Sequence, residues 1–235
     1  MNGVARIVAY NWPPCVAALA VVAAATVAPV PLPVRLTGWL AAAWMAAGLV
    51  ATWWAYDHKP LYDWRWCTDL LPPPERYAVV STGLDEISPT LRTRYPRAGA
   101  TLIDLYDPSV TRERSVRRAR AMTPQPAGAV RATAGALPVP PDQLDVVYLV
   151  FAAHEFRMAG QRRALFAEIA RTLRPGGRLL LVEHCRDKAT IAAYGPGAWH
   201  FFPRDEWLRQ ARGAGLTLTA ERTMTPLVHA LVFTR

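Results

Sequence analysis

The sequence predicts an α/β domain whose mostly parallel sheet closes with an antiparallel strand, preceded by two transmembrane helices. Three observations predict it. Short apolar strand patterns alternate with helical patterns from residue 77 to 215, an order that builds a parallel sheet covered on both faces. The last two strand patterns are joined by Met224-Thr225-Pro226 alone, too short for a crossover, so they run antiparallel. Between Arg6 and Asp57 the chain carries a single charge, Arg35.

That charge-free N-terminal region reads as a membrane hairpin. Residues 36–56 form 21 positions without a charge, and about 20 apolar residues span a bilayer core. Trp12 to Val34 reaches as far if its prolines sit at the interface, with PVPLPVR (29–35) as the tight turn. Trp12, Trp53, Trp54, Tyr56, Tyr62, Trp64 and Trp66 fit an aromatic belt at one interface. Arg6, Lys59 and Arg65 lie on that side against Arg35 on the other, which places both ends and the following domain in the cytoplasm. A cleaved leader is the competing reading of the first apolar run; Pro29 and the second run argue against it. Gly38, Ala42 and Ala46 recur at four-residue spacing, suited either to packing the hairpin or to forming a homodimer.

Composition narrows the partners. The net charge of +9 comes mostly from arginine, and RERSVRRAR (112–120) places five arginines in nine positions. Such a run reads as a solvated helix face near anionic headgroups. No aromatics are interleaved to stack on bases, so no nucleic acid partner is expected. Three cysteines, Cys15, Cys67 and Cys185, have neither metal nor disulfide spacing, in keeping with a reducing compartment.

LLPPPER (70–76) separates the membrane end, residues 1–70, from a second unit over 75–235. There, residues 77–81, 100–104, 129–133, 144–153 and 178–183 read as strands, and 85–95, 112–120, 161–174 and 203–215 as helices. Pro175-Gly176-Gly177 ends the third of those helices. In open α/β sheets, ligands bind outside the carboxyl ends of the strands. The first strand runs into STGLDE, with one glycine; the second ends in Asp104, 21 positions after Gly83. A carboxylate about 20 residues on is placed to take the ribose hydroxyls of a nucleoside cofactor.

LPVPPDQLDVVYLVFAAHEF (137–156) followed by LFAEIARTLRPGGRLLLVEH (165–184) resembles the second half of class I S-adenosylmethionine-dependent methyltransferases. VHALVFTR (228–235) resembles the end strand of the members that act on quinones and lipids. The resemblance implies a Rossmann-like seven-stranded sheet with an antiparallel last hairpin, and S-adenosylmethionine as cofactor. It implies that Ser81, Thr82, Gly83 and Asp85 approach the methionine part, that Asp104 and Leu105 hold the ribose, and that Thr133-Ala134 lies near the adenine. Two departures stand out: the first loop has lost its extra glycines, and Thr133 takes the place of the usual acid. Asp85 and Glu86 either cap the following helix, meet the cofactor's positive end, or help to hold a metal.

The fourth strand runs into His154-Glu155 and the fifth into Glu183-His184, which adjacent strands bring to one rim; His200 can close over them. Strand alternation directs one member of each pair to the crevice. A histidine there can take the acceptor's proton during methyl transfer. Glu155 with Arg157 and Glu183 with Arg186 could instead be internal ion pairs. Two histidines and a carboxylate are also metal-ligand material, but no close motif such as HExxH occurs and no metal is expected. The expected function is a membrane-anchored methyltransferase acting on a lipophilic small molecule: a lipid, quinone or long-chain metabolite. The alternatives are other chemistry on the same fold, or a non-catalytic partner subunit.

Overall fold

The structure, a computed structural model, describes residues 3–58, 61–64, 66–109, 111, 113–123 and 125–235. Three helices open the chain: α1 (Gly3–Tyr10), α2 (Trp12–Val27) and α3 (Leu32–Trp53), the last continued by a π-helical turn, Trp54–His58. A 3₁₀ turn (Leu61–Asp63) and α4 (Trp66–Leu70) lead into β1 (Arg76–Ser81), α5 (Ser88–Arg94), β2 (Gly99–Asp104), α6 (Arg114–Met122) and β3 (Val130–Arg131). Then follow β4 (Leu144–Val150), a 3₁₀ turn (Ala153–Glu155), α7 (Ala159–Thr172), β5 (Leu173–Glu183), α8 (Lys188–Tyr194), a 3₁₀ turn (Gly195–His200), α9 (Arg204–Gly213), β6 (Thr217–Thr225) and β7 (Val228–Thr234).

The strands form one seven-stranded sheet in the order β3-β2-β1-β4-β5-β7-β6. β1 to β5 pair in parallel, and β7 runs antiparallel to both β5 and β6. The expected mostly parallel sheet with an antiparallel closing strand is therefore present. The Pro175-Gly176-Gly177 stretch lies inside β5 rather than at a helix end, because α7 stops at Thr172 and the strand begins with a register shift against β4. Gly177 must be glycine: a Cβ there would sit 2.8 Å from the Arg174 carbonyl oxygen and 2.9 Å from that of Leu144. The strand order reverses between β1 and β4, and their carboxyl ends lie beside those of β2 and β5. That crevice is where the fold can hold a ligand.

Alternate residues of each strand feed two cores. Val80, Ile103, Val147, Leu149, Leu181 and Phe233 meet Leu165, Phe166 and Ile169 of α7 and Trp207 of α9 on one face. On the other, Tyr77, Val79, Val146, Tyr148, Leu180 and Val182 meet Leu91 of α5 and a segment from before the sheet: Ala55, Tyr56, Leu61, Trp64, Trp66, Cys67 and Leu71. This overturns part of the aromatic belt. Trp64 and Trp66 are 2% and 6% exposed and Tyr56 is buried as well, whereas Trp12, Trp53 and Trp54 are exposed as a belt requires. The cause is an unfilled sheet face. β4 and β5 are apolar on both sides, and the 54–71 segment covers what no βα-helix reaches. The break at 70–75 accordingly divides the sequence pattern but not the packing.

Of the two expected membrane helices, one is long and apolar enough by itself to cross a membrane, Leu32–His58; the first apolar run passes that test only as a pair, Gly3–Tyr10 with Cys15–Val27, bent by 82°. α1 turns back to the domain, its first amides donating to the Asp57 carboxylate and its Arg6 lying 3.6 Å from Glu86. Gly38 packs the hairpin, since a Cβ on it would come within 2.8 Å of Ala25 Cβ. α3 is tied to α8 by the Trp44 indole N–H, which donates to the Ala192 carbonyl at 2.8 Å, and by Gly48 against Ala193. Lys59, Arg65, Arg112 and the Tyr62 side chain lie outside the described residues.

Replacing Trp64 by Ala is expected to destabilise the domain by about 3–5 kcal/mol, as deletion of a buried indole does. Denaturant unfolding of the detergent-solubilised protein measures it; a belt residue in contact with lipid would leave the midpoint nearly unchanged.

Candidate active site

The carboxyl ends of β1, β4 and β5 open into a cavity of about 720 Å³. Its floor is Thr82, Leu84 and Glu86 after β1, Phe151, His154 and Glu155 after β4, and His184 after β5. Its walls are Ser115, Val116 and Ala119 of α6, and Tyr194, His200 and Phe201 around the third 3₁₀ turn, Gly195–His200. Arg6, Tyr10, Asn11, Thr52 and Tyr56 close it from the N-terminal helices. Thus α1 and α3 form one side of the site.

The turn after β4 sets the chemistry. Phe151 has φ 47°, a left-handed conformation costly for a bulky side chain, and its amide still donates to the Val182 carbonyl at 2.9 Å. The chain then reverses into Ala153–Glu155, so strand alternation ends before the His154-Glu155 pair. Both residues are buried and both line the cavity, which corrects the expectation that only one would face it. Glu183, fully buried, receives the amides of Ala153 (2.8 Å) and His154 (3.2 Å) on one oxygen and His154 Nδ1–H (2.7 Å) on the other. Glu155 lies 3.2 Å from His154 Nε2 and 4.0 Å from His200 Nε2. Neither glutamate takes the expected arginine partner: Arg157 donates to the His154 and His200 carbonyls, and Arg186 lies over the Trp199 ring.

Three histidines at one rim differ in state. Burial alone would push the His154 imidazole down, but the Glu183 carboxylate and hydrogen bonds to Glu155 and Glu183 together raise its pKa to about 10. His154 is therefore a cation held between two carboxylates. His184 goes the other way, to about 3, because it is buried; the cationic His154 adds to the shift. Its Nδ1–H donates to the Leu227 carbonyl at 2.7 Å, and its Nε2 faces the Tyr56 hydroxyl. That partner had no sequence signal beyond an aromatic residue in an apolar run. His200 is pushed down by burial and by His154, and its ring sits 5.0 Å from that of His154. Its ring, partly exposed to the cavity, lies between Glu113, 3.6 Å from Nδ1, and Glu155, 4.0 Å from Nε2.

Of the sequence-predicted cofactor residues, Thr82 lines the cavity, and the others lie beside it at the ends of β1 and β2 and after β3. Asp104 is 3% exposed, with Oδ1 taking the Tyr106 amide at 3.0 Å and Oδ2 taking the Arg120 guanidinium at 2.7 Å. Gly83, at φ 113°, faces Tyr106 and Val116, and a Cβ would meet them at 3.0 and 3.2 Å. Its carbonyl takes the Gln125 amide at 2.7 Å. Ser81 Oγ–H points to the Ile103 carbonyl, and Asp85 takes the amides of Ile87 and Ser88, so it serves the start of α5. Leu105 is a core residue; Thr133 and Ala134, in the turn that bridges Thr133 to Ala136, do not line the cavity. The donor set fits a nucleoside cofactor in kind: a carboxylate at the end of β2, a hydroxyl at Thr82 and bare backbone at Gly83. Two buried polar atoms beside it, Arg120 Nη1 and Gln125 Oε1, lack a partner among the described residues. Arg120 occupies the Asp104 carboxylate, so a ligand taken by that carboxylate has to displace the ion pair.

A seven-stranded sheet in this order, with its cavity at the β1–β4 switch, defines a Rossmann-like α/β protein. Residues 80–181, less than half of the chain, match the family model of a methyltransferase domain, which together with the fold supports a class I S-adenosylmethionine-dependent methyltransferase with S-adenosylmethionine as cofactor. Similar solved structures include a SAM-dependent methyltransferase from Methanosarcina mazei, with TM-score 0.53 and 14% identity over 73% of this chain and 97% of that one. Another, from Aquifex aeolicus, has TM-score 0.52 and 14% identity over 68% and 81%. A third, from Mesorhizobium loti, has TM-score 0.51 and 16% identity over 74% and 98%. At such identities the likeness is one of fold. No curated protein matches the chain by sequence.

The two shifted histidines give stability a pH optimum. His184, depressed in the folded state, contributes stability that is present above about 6.5 and lost as pH falls toward 3; His154, raised, contributes stability present below about 6.5 and lost as pH rises through 10. Melting temperature followed from pH 4 to 9 is expected to peak near neutrality, and His184→Asn to flatten the acid limb.

Proposed function

We propose that the protein is a membrane-anchored S-adenosylmethionine-dependent methyltransferase acting on a lipophilic small molecule. The observation that carries the reading is the shared cavity. Its catalytic rim comes from the methyltransferase domain, and its opposite wall comes from α1, α3 and the π-turn. A substrate partitioning into the bilayer would reach the rim along the helices that hold the domain there. In this reading the exposed apolar faces of α2 and of the first half of α3 enter the cytoplasmic membrane, the rest of α3 and its π-turn stay packed on the domain, and the domain, with its arginine-bearing α6, faces the cytoplasm.

S-adenosylmethionine supplies a methyl group on a sulfonium, ready for in-line displacement. Asp104 would hold the ribose hydroxyls, with Thr82 and the Gly83 backbone beside the methionine part; Ser81 and Leu105 would support them from beneath, and Thr133-Ala134 would lie toward the adenine. Asp85 acts on it indirectly, by fixing the turn before α5. The acceptor sits between Tyr56, Phe151 and Phe201 and excludes water. His200 takes its proton. Glu155 and Glu183 keep His154 charged and in place, and His184 with Tyr56 makes a rigid wall. Much of the catalysis is positioning.

One observation favours a second reading. Because Arg120 occupies Asp104, a chain that has given up the cofactor would look the same at this point, and the protein would then be a non-catalytic partner subunit. Calorimetric titration of the detergent-purified protein with S-adenosylhomocysteine and S-adenosylmethionine decides between them. One equivalent is expected to bind, Asp104→Asn to weaken it at least tenfold, and Arg120→Ala to tighten it about tenfold by removing the competing ion pair. Absence of binding in both the native chain and Arg120→Ala would leave the partner-subunit reading.

Once an acceptor is found, His200→Ala is expected to lower kcat by 10²–10⁴-fold. The acid limb of the native kcat/KM profile should fall below pH 6.5, because burial holds the imidazole neutral. A profile without that limb removes His200 as the base.

A further inference from the structure

We infer that His154, Glu155 and His200 form a binding site for one divalent first-row transition metal ion, facing the cavity. One atom from each lies within 4.8 Å of the other two. Glu155 Oε1 is 3.2 Å from His154 Nε2 and 4.0 Å from His200 Nε2. Ligands held about 2.0–2.2 Å from one ion stand about 3.0–3.5 Å apart. The first pair is thus already at ligand spacing, and His200 has about 1 Å to close. It can do so because it ends a surface 3₁₀ turn, Gly195–His200, whereas the other two are fixed in the core.

The surroundings are those of a metal ligand. His154 gives its second ring nitrogen to Glu183 at 2.7 Å, and that carboxylate is itself fixed by two backbone amides. A carboxylate behind a ligating histidine orients the ring and leaves the other nitrogen for the ion. Glu155 and Glu183 bring two carboxylates into a buried pocket, and the nearest arginine, Arg157, spends its guanidinium on backbone carbonyls. In the ion-free protein the His154 cation meets that charge; a divalent ion binding at Nε2 takes its place and releases the Nε2 proton to solvent. Two imidazoles and one carboxylate select zinc, iron, manganese or cobalt over magnesium or calcium, which prefer all-oxygen shells. Three protein ligands leave coordination positions open toward the cavity, where an oxygen of the methyl acceptor can bind. His200 is then a ligand in the loaded protein and a free base only in the ion-free one.

The test needs neither cofactor nor acceptor. Chelator-stripped full-length protein in detergent is titrated with Co²⁺, reading its visible absorption, and with Zn²⁺ by calorimetry. One equivalent is expected to bind, and His200→Ala and Glu155→Gln to lose at least 100-fold in affinity. Glu183→Gln should lose about 10–100-fold, as partners behind a ligand do. His229→Ala, outside the cavity, should change nothing. A thermal melt of His200→Ala, a surface-turn change, establishes that it is folded. No Co²⁺ spectrum in the native chain, or equal affinity in His200→Ala and His229→Ala, overturns the site. Binding of S-adenosylhomocysteine, measured separately, stands or falls independently of the metal.

Discussion

The Glu183 carboxylate is the constraint on which the site depends. It stands at the last position of β5, fully buried, and accepts three hydrogen bonds from the turn that follows β4. Those bonds join two strand ends, hold a turn entered through the left-handed Phe151, and fix the plane of the His154 ring. A buried carboxylate stripped of such partners costs several kcal/mol, so the turn and the strand end stabilise each other or fail together. His154 passes that constraint to Glu155 and His200, and Phe151 passes it to His184 by stacking on its ring at 5.1 Å.

The second constraint is the uncovered sheet face. Apolar strands on both sides demand two coats, and the βα helices leave part of the second uncovered. The segment after α3 completes the second with Trp64, Trp66 and Leu61, placing Tyr56 against His184 and α3 against α8. α1 returns to cap the arrangement, with Arg118 Nε–H donating to the Tyr10 carbonyl and Arg6 beside Glu86.

The sheet was legible because its code is local: alternating strand and helix patterns, and a closing link too short to cross over. Asp104 at the end of β2 followed from spacing. What lay out of reach was tertiary. Trp64 and Trp66 next to an apolar run read equally well as a membrane belt and as a core, and only the bare sheet face decides. Arg120 filling Asp104 reflects how α6 leans on the sheet, which no short motif records. His154 and Glu155 were expected on opposite sides because a strand was assumed to continue through them; the positive φ of Phe151 ended it first. Asp85 behaved as its place before a helix suggests, taking the amides of Ile87 and Ser88.

The Trp44 indole bonded to α8 has a practical consequence. A shortened chain starting near residue 75, the natural choice for a crystallisable enzyme, would retain every family motif. It would also strip one face of the sheet, free α8 from its neighbour and leave His184 without the Tyr56 hydroxyl. Failure of such a fragment to bind or react would describe the excision and not the enzyme. Here the apolar N-terminal segment is a structural wall of the cavity, and the protein has to be handled whole.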